Sequence, residues 1–316
     1  AYRATLRKGL TGSDWLFTRS GGTLALYRWI PWVSRAARFD RPNHGDPFVT
    51  STSPRVDVEI LTDQPMVLAA PTNDVSEVAA GNGRAWSFSM QDVRDVSVLL
   101  APDFSLTEGE SGGIPIRIYD LPGGLSAERM LAQAEHAIHA ESARLGIPYP
   151  LAALTVVETR GGFGMESPGL IWIPRNVDAT NLAYLVHHET AHQWFYGLVG
   201  NDQQADPFAD EAAADLLART ALGTLRSSRC AKDNLDRAIT AYSEACYYEV
   251  VYVQGGLFLD DLRKTMGTDR FWTAMHDYVD AHRGALSTTQ ALLDALAAAS
   301  PKDLGARLRS RFPSLY

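Results

Sequence analysis

The chemistry in this sequence of 316 residues is concentrated in His188-Glu189-Thr190-Ala191-His192. In a helix, residues four apart lie one above the other, so both imidazoles project from one face, and Glu189 beside the first can reach a water held there. This is the geometry of a metal site. In a chain of this length and composition an HExxH arises by chance with an expectation on the order of 0.01. Catalytic zinc takes three protein ligands and leaves a fourth position for water, which predicts a third donor on a following helix. Glu211, 19 positions after His192, has the required type and distance, and GLVGNDQQADP supplies the turn. Asp215, one helical turn further, is placed to accept a hydrogen bond from a ligating imidazole and fix its tautomer, with a solvent-facing helix acid as the alternative. Asp210 reads as a surface acid or one lying behind the ligands, and His187 as pointing off the metal face.

One zinc ion on His188, His192 and Glu211 would acidify a water, with Glu189 taking its proton and passing it to a leaving nitrogen. An amide is the natural target. Its tetrahedral intermediate calls for a second electrophilic donor, which a neutral tyrosine hydroxyl provides without competing for the metal. Cobalt and manganese suit similar N/O sites, so zinc itself is inferred from ligand type.

HETAHQWFYGLVGNDQQADPFADE, residues 188–211, resembles the gluzincin aminopeptidases of the M1 family, in which HExxH is followed after eighteen residues by Glu. The resemblance implies His188, His192 and Glu211 as ligands and Glu189 as general base. Gly162-Phe163-Gly164-Met165-Glu166-Ser167 resembles the family's Gly-Ala-Met-Glu-Asn element lying along the substrate. On that alignment Gly164 and Met165 contact the peptide, and Glu166 binds its free α-amine. Tyr252 in YVQGG is similar to the family's transition-state tyrosine, with Gln254 in place of the usual Lys. Further departures are Ser167 for Asn, Ala212 for Gly, and Phe195 and Phe208 for tryptophans. The resemblance covers about residues 100–316 and implies a short form, without the helical C-terminal domain and part of the N-terminal β-domain.

The elements that must position these residues follow from hydrophobic period. Up to about residue 105, short apolar runs alternate with Gly, Pro, Asn and Asp: TLALYRWI, RVDVEI, MVLAA, AWSFSM and RDVSVLL read as antiparallel strands, and residues 41–54 as a long surface connection. IPIRIYD and LAALTVVETR flank a helix starting at Ser126, while GESGG and LPGG read as loops. From about residue 178 the pattern is helical, with helices through 184–198, 208–222, 232–248, 252–267 and 269–282, and a last one announced by the capping-box residues 287–290. The expected class is α+β: a β-rich portion, 1–105, followed by a thermolysin-like, mainly helical catalytic domain, 106–316.

A net charge of -8 without a basic block excludes nucleic acid as main partner, and no apolar stretch is long enough for a transmembrane helix. No signal segment is recognised, and a start without Met leaves open a processed product or a trimmed fragment. Cys230 and Cys246 form either one bridge, which implies an extracytoplasmic or secreted protein, or two separate buried thiols. His44, His136, His139, His276 and His282 lack ligand spacing and read as surface or packing residues; the aromatic run 27–32 reads as packing or a pocket wall. The function expected is a zinc peptidase acting on peptides with a free N-terminus. An endopeptidase with the same residues and a peptide-binding module with little turnover are the alternatives. Oligomeric state is not legible.

Overall fold

The computed structural model describes residues 5–9, 16–30 and 51–316. These make an α+β fold with strands confined to the part before residue 175 and helices dominating from residue 179, an arrangement consistent with a thermolysin-like protein. They form two compact units: residues 52–139 and 151–190 with the described residues up to 30, and residues 140–150 with 191–316.

The first unit carries strands β1 (Arg7–Lys8), β2 (Phe17–Ser20), β3 (Thr23–Leu26), β4 (Ser53–Leu61), β5 (Val67–Ala69), β6 (Val75–Ala80), β7 (Gly83–Val93), β8 (Val98–Ala101), β9 (Ser105–Ser111), β10 (Ile114–Asp120), β11 (Leu154–Thr159) and β12 (Leu170–Pro174). They form three sheets, ordered β1-β2-β3-β8-β5, β4-β7-β6 and β12-β11-β10-β9. The alternation in RVDVEI is realised in β4, where Val56, Val58 and Ile60 stand opposite Met90, Phe88 and Trp86 of β7 and pack into one core. Gly112 and Gly113, at φ 59° and 82°, turn β9 into β10, so GESGG is a hairpin end.

Two expected strands are shorter than read. RDVSVLL enters the ladder only at Val98; before it, the Asp95 and Ser97 side chains accept from the Ser167 hydroxyl and from the Arg28 amide. TLALYRWI leaves it after Leu26, because Arg28 has φ 44°, outside the extended region. Residues 41–50 of the expected long connection lie outside the described residues, as do Pro31, Trp32 and His44, and the connection's end at Ser53 is already strand. Residues 102–104 turn the chain from β8 into β9.

IPIRIYD and LTVVET are parallel neighbours, as β10 and β11, and a parallel pair requires a crossover. Helix α1 (Ala127–Leu145) supplies it. Ser126 caps α1 by accepting the Arg129 amide at 3.2 Å, and Glu128 sits in its first turn. Every residue of β11 is buried, as befits a strand paired on both sides.

Helix α2 (Ala179–Ala191) precedes the helices of the second unit: α3 (Phe208–Leu222), α4 (Gly255–Met266), α5 (Thr268–Ala281), α6 (Thr289–Ala299) and α7 (Gly305–Arg311). Its end at Ala191, seven residues before the expected one, coincides with Tyr196 at φ 112° and Gly197, where a Cβ would stand 2.7 Å from the Gln193 carbonyl. α3 is buried from Phe208 to Arg219 and is approached closely by α4: a Cβ on Gly255 would meet Ala212 at 2.7 Å, and one on Gly256 would meet Asp215 at 2.6 Å. Thr288 caps α6 through the Ala291 amide at 3.1 Å.

The helix expected over 232–248 does not form. Cys230 and Cys246 are bridged with Cα atoms 5.9 Å apart, whereas sixteen residues of helix would separate them by about 24 Å. The intervening chain runs irregularly, with a single 3₁₀ turn at Ile239–Ala241, and leads into a π-helical turn, Glu249–Gln254, before α4.

Candidate metal centre and its surroundings

His188 lies in the last turn of α2, His192 directly after it, and Glu211 in the first turn of α3. All three are buried, and each offers a donor atom within 4.8 Å of the other two. His192 Nε2 is 3.3 Å from Glu211 Oε2, close to the spacing of about 3.4 Å that two tetrahedral ligands acquire at zinc bond lengths. His192 Nδ1 lies 2.9 Å from the Phe195 carbonyl oxygen, which selects the Nδ1–H tautomer and leaves the Nε2 lone pair for a metal. The turn that ends α2 therefore also sets the ligand's tautomer. The His188 ring is stacked on Tyr184, with centroids 5.4 Å apart. The donor set fits a zinc ion: two imidazoles and a carboxylate, buried and converging.

Glu189 shares a second buried group with Glu166 and His192, again with ligand atoms within 4.8 Å of one another. Its carboxylate lies against the Gly164 backbone, where a Cβ would be 2.2 Å from Oε1. Met165 pairs antiparallel with Trp172 through amide contacts of 3.2 and 2.9 Å, so the segment carrying Gly164, Met165 and Glu166 runs along β12. Glu166 accepts from Arg28 Nη2 at 3.1 Å, and Ser167 donates to Asp95 at 2.5 Å. Arg28 and Asp95 were not foreseen, and no spacing signal could have found partners 138 and 72 residues away.

The contact described for Asp215 is with Arg219, whose Nε donates to both carboxylate oxygens at 2.8 and 3.0 Å. Asp210 is not a surface acid: it is buried, and accepts from Asn201, Gln203 and the Glu211 amide at 2.9 Å each, fastening the chain before α3 to the ligand's own turn. His187 faces His136, Nε2 to Nδ1 3.1 Å, and burial, with His136 adding to it, pushes its pKa down to about 3. Glu141, also unforeseen, is fully buried, and desolvation raises its carboxyl well above the usual range against the opposing fields of Arg144 and His192.

Tyr252 lies half-buried in the π-helical turn, its ring 4.9 Å from Tyr248 and 5.7 Å from Tyr247. Tyr248 accepts from Arg219 at 2.8 Å, which ties this aromatic group to the Arg219–Asp215 pair. Gln254 is buried and donates to the Ala231 carbonyl at 2.9 Å while accepting from Arg311 at 2.8 Å. A lysine, a donor only, could not make the second of these bonds. Phe195 and Phe208 are fully buried, and Phe208 packs edge-on against Phe312.

No family model matches the chain. Alanine/arginine aminopeptidase of Saccharomyces cerevisiae is 24% identical over 241 residues, covering 65% of this chain and 28% of the relative. Aminopeptidase 2 of Candida albicans is 22% identical over 302 residues, covering 83% and 32%. The chain thus spans about a third of the length of these curated relatives. The buried His/His/Glu set and this distant likeness together support a zinc metallopeptidase of gluzincin type in general terms. Among the described residues no helix is long and apolar enough to cross a membrane.

Proposed function

We propose that this protein is a zinc aminopeptidase of M1 type, releasing N-terminal residues from peptides with the catalytic set carried by residues 106–316. The observation that carries the reading is Glu166: a buried carboxylate beside Glu189, outside the His188, His192 and Glu211 set, and able to pair with a substrate ammonium. His188, His192 and Glu211 would hold a zinc ion, which when bound would supply Lewis acidity toward the scissile carbonyl and toward a water. Glu189 takes the proton of the attacking water and delivers it to the leaving nitrogen. Tyr252 donates its hydroxyl proton in a hydrogen bond to the carbonyl oxygen as charge develops there. Glu166 holds the α-ammonium, while Gly164 and Met165 present backbone to the peptide. That both relatives are named aminopeptidases lends weight to the same reading.

The Cys230–Cys246 bridge favours an oxidising, extracytoplasmic compartment. The test uses zinc-loaded protein and matched free and N-acetylated peptides, with Glu189→Gln as background and mass spectrometry of the products. Stepwise loss from the free peptide alone is expected. Internal cuts in both peptides would replace this reading with an endopeptidase, and no cutting by folded, metal-loaded protein would replace it with a peptide-binding module.

A further inference from the structure

Glu166 does not stand alone. Arg28, from the turn after β3, brings Nη2 to 3.1 Å from Glu166 Oε1 and Nε to 3.6 Å from Asp95 Oδ2. Ser167, the neighbour of Glu166, donates to the other oxygen of Asp95 at 2.5 Å. The contacts close a ring: Glu166 to Arg28, Arg28 to Asp95, Asp95 to Ser167, and Ser167 to Glu166 through the peptide bond. The Arg28 and Glu166 side chains are only 6% and 4% exposed, and Asp95 3%, so water contributes little to their stabilisation.

Arg28 is itself held in place. Its guanidinium lies over the Tyr27 ring at 4.8 Å, and Tyr27 packs edge-on against Trp172 of β12. Its amide donates to Ser97 at 3.0 Å, and its backbone takes φ 44°, a conformation that a non-glycine residue keeps only where the surroundings enforce it. A guanidinium clamped in this way is a fixed part of the subsite, not a plug that a substrate displaces. The planar fork of Arg, reaching two carboxylates at once, fixes the direction of Glu166.

We infer that Arg28 is the positioning residue of the amine-binding subsite, holding the Glu166 carboxylate aimed, with Asp95 and Ser167 completing the frame. This rests on the aminopeptidase reading of Glu166. It also accounts for Ser167, which stands where the family has Asn, as a short hydroxyl that reaches Asp95.

The test compares wild type, Glu166→Gln, Arg28→Gln and Arg28→Lys, all zinc-loaded, on matched free and N-acetylated peptides, with thermal unfolding to check folding. Arg28→Gln is expected to raise KM for the free peptide roughly 10- to 100-fold, with a much smaller change in kcat, and to reduce the preference for a free terminus toward that of Glu166→Gln. Arg28→Lys, which keeps the charge and loses the fork, is expected to fall between, and it carries the test if Arg28→Gln does not fold. If Glu166→Gln loses the preference while the Arg28 variants keep or improve it, Arg28 has no such role and the reading of Glu166 stands. If Glu166→Gln itself keeps the preference, the amine-anchor reading fails and the Arg28 inference falls with it.

Discussion

Gly164 and Glu189 approach so closely that a single methyl group on the glycine would stand 2.2 Å from the Glu189 carboxylate oxygen and 3.0 Å from Leu185. No hydrophobic or polar side chain fits there, and the Glu189 carboxylate is held in the narrow space left by a bare backbone. Gly164→Ala is expected to displace Glu189 and lower kcat by roughly 10²- to 10⁴-fold, the usual worth of a positioned base. Zinc content, measured by atomic absorption, should stay near one equivalent; loss of metal together with activity would show that the substitution disturbs α2 rather than the base.

Glu211 and His192 lie 3.3 Å apart before any ion is considered, so each is expected to be required for binding. Replacing either by Ala should weaken zinc by more than the roughly 10- to 100-fold that loss of a supporting hydrogen bond costs. Competition with a chromogenic chelator measures this, and an unchanged affinity for Glu211→Ala would remove it from the ligand set.

Asp215 and Arg219 form a buried pair inside α3, with side chains 0% and 8% exposed. Removing one charge strands the other, so Asp215→Asn is expected to destabilise the fold by about 3–5 kcal/mol in denaturant unfolding. A loss confined to zinc affinity, with stability unchanged, would instead place Asp215 behind a ligating imidazole.

The Cys230–Cys246 bridge closes a loop across a sequence separation of 16, for which lost chain entropy in the unfolded state is worth about 3 kcal/mol. Cys230→Ser with Cys246→Ser should lower stability by that order. Oxidised and reduced wild type should differ by a similar amount, and equal stability would show that this irregular segment is held by its other contacts.

Glu249 accepts from Arg226 and Arg229 at 2.7 Å each. The Arg226 hydrogen bond chiefly, with Arg229 adding to it against the opposing effect of burial, lowers its pKa from 4.5 to about 2. A depressed folded-state pKa contributes stability that is complete above about 4.5 and is lost as pH falls toward 2. Glu249→Gln should therefore melt below wild type at neutral pH, and the gap should narrow through that window. A gap independent of pH would count against the charge as its source.

The metal donor set was legible in the sequence because its signal is local. His188 and His192 are one helical turn apart, and Glu211 follows at a distance that a turn and the start of a helix account for. The strand pattern of RVDVEI and the crossover from β10 to β11 were legible for the same reason, since alternation and the helix between them are properties of short segments. What the short-range pattern could not contain was settled in three dimensions. The helical period of residues 232–248 yields to a disulfide that holds Cys230 and Cys246 with Cα atoms 5.9 Å apart. The apolar run at Tyr27 turns instead of continuing as a strand, because Arg28 is drawn to Glu166 and Asp95. Sequence alone named the residues able to hold a metal. Tertiary structure decided which charges stand beside Glu166, because partners 138 residues apart meet only through packing and leave no periodic trace.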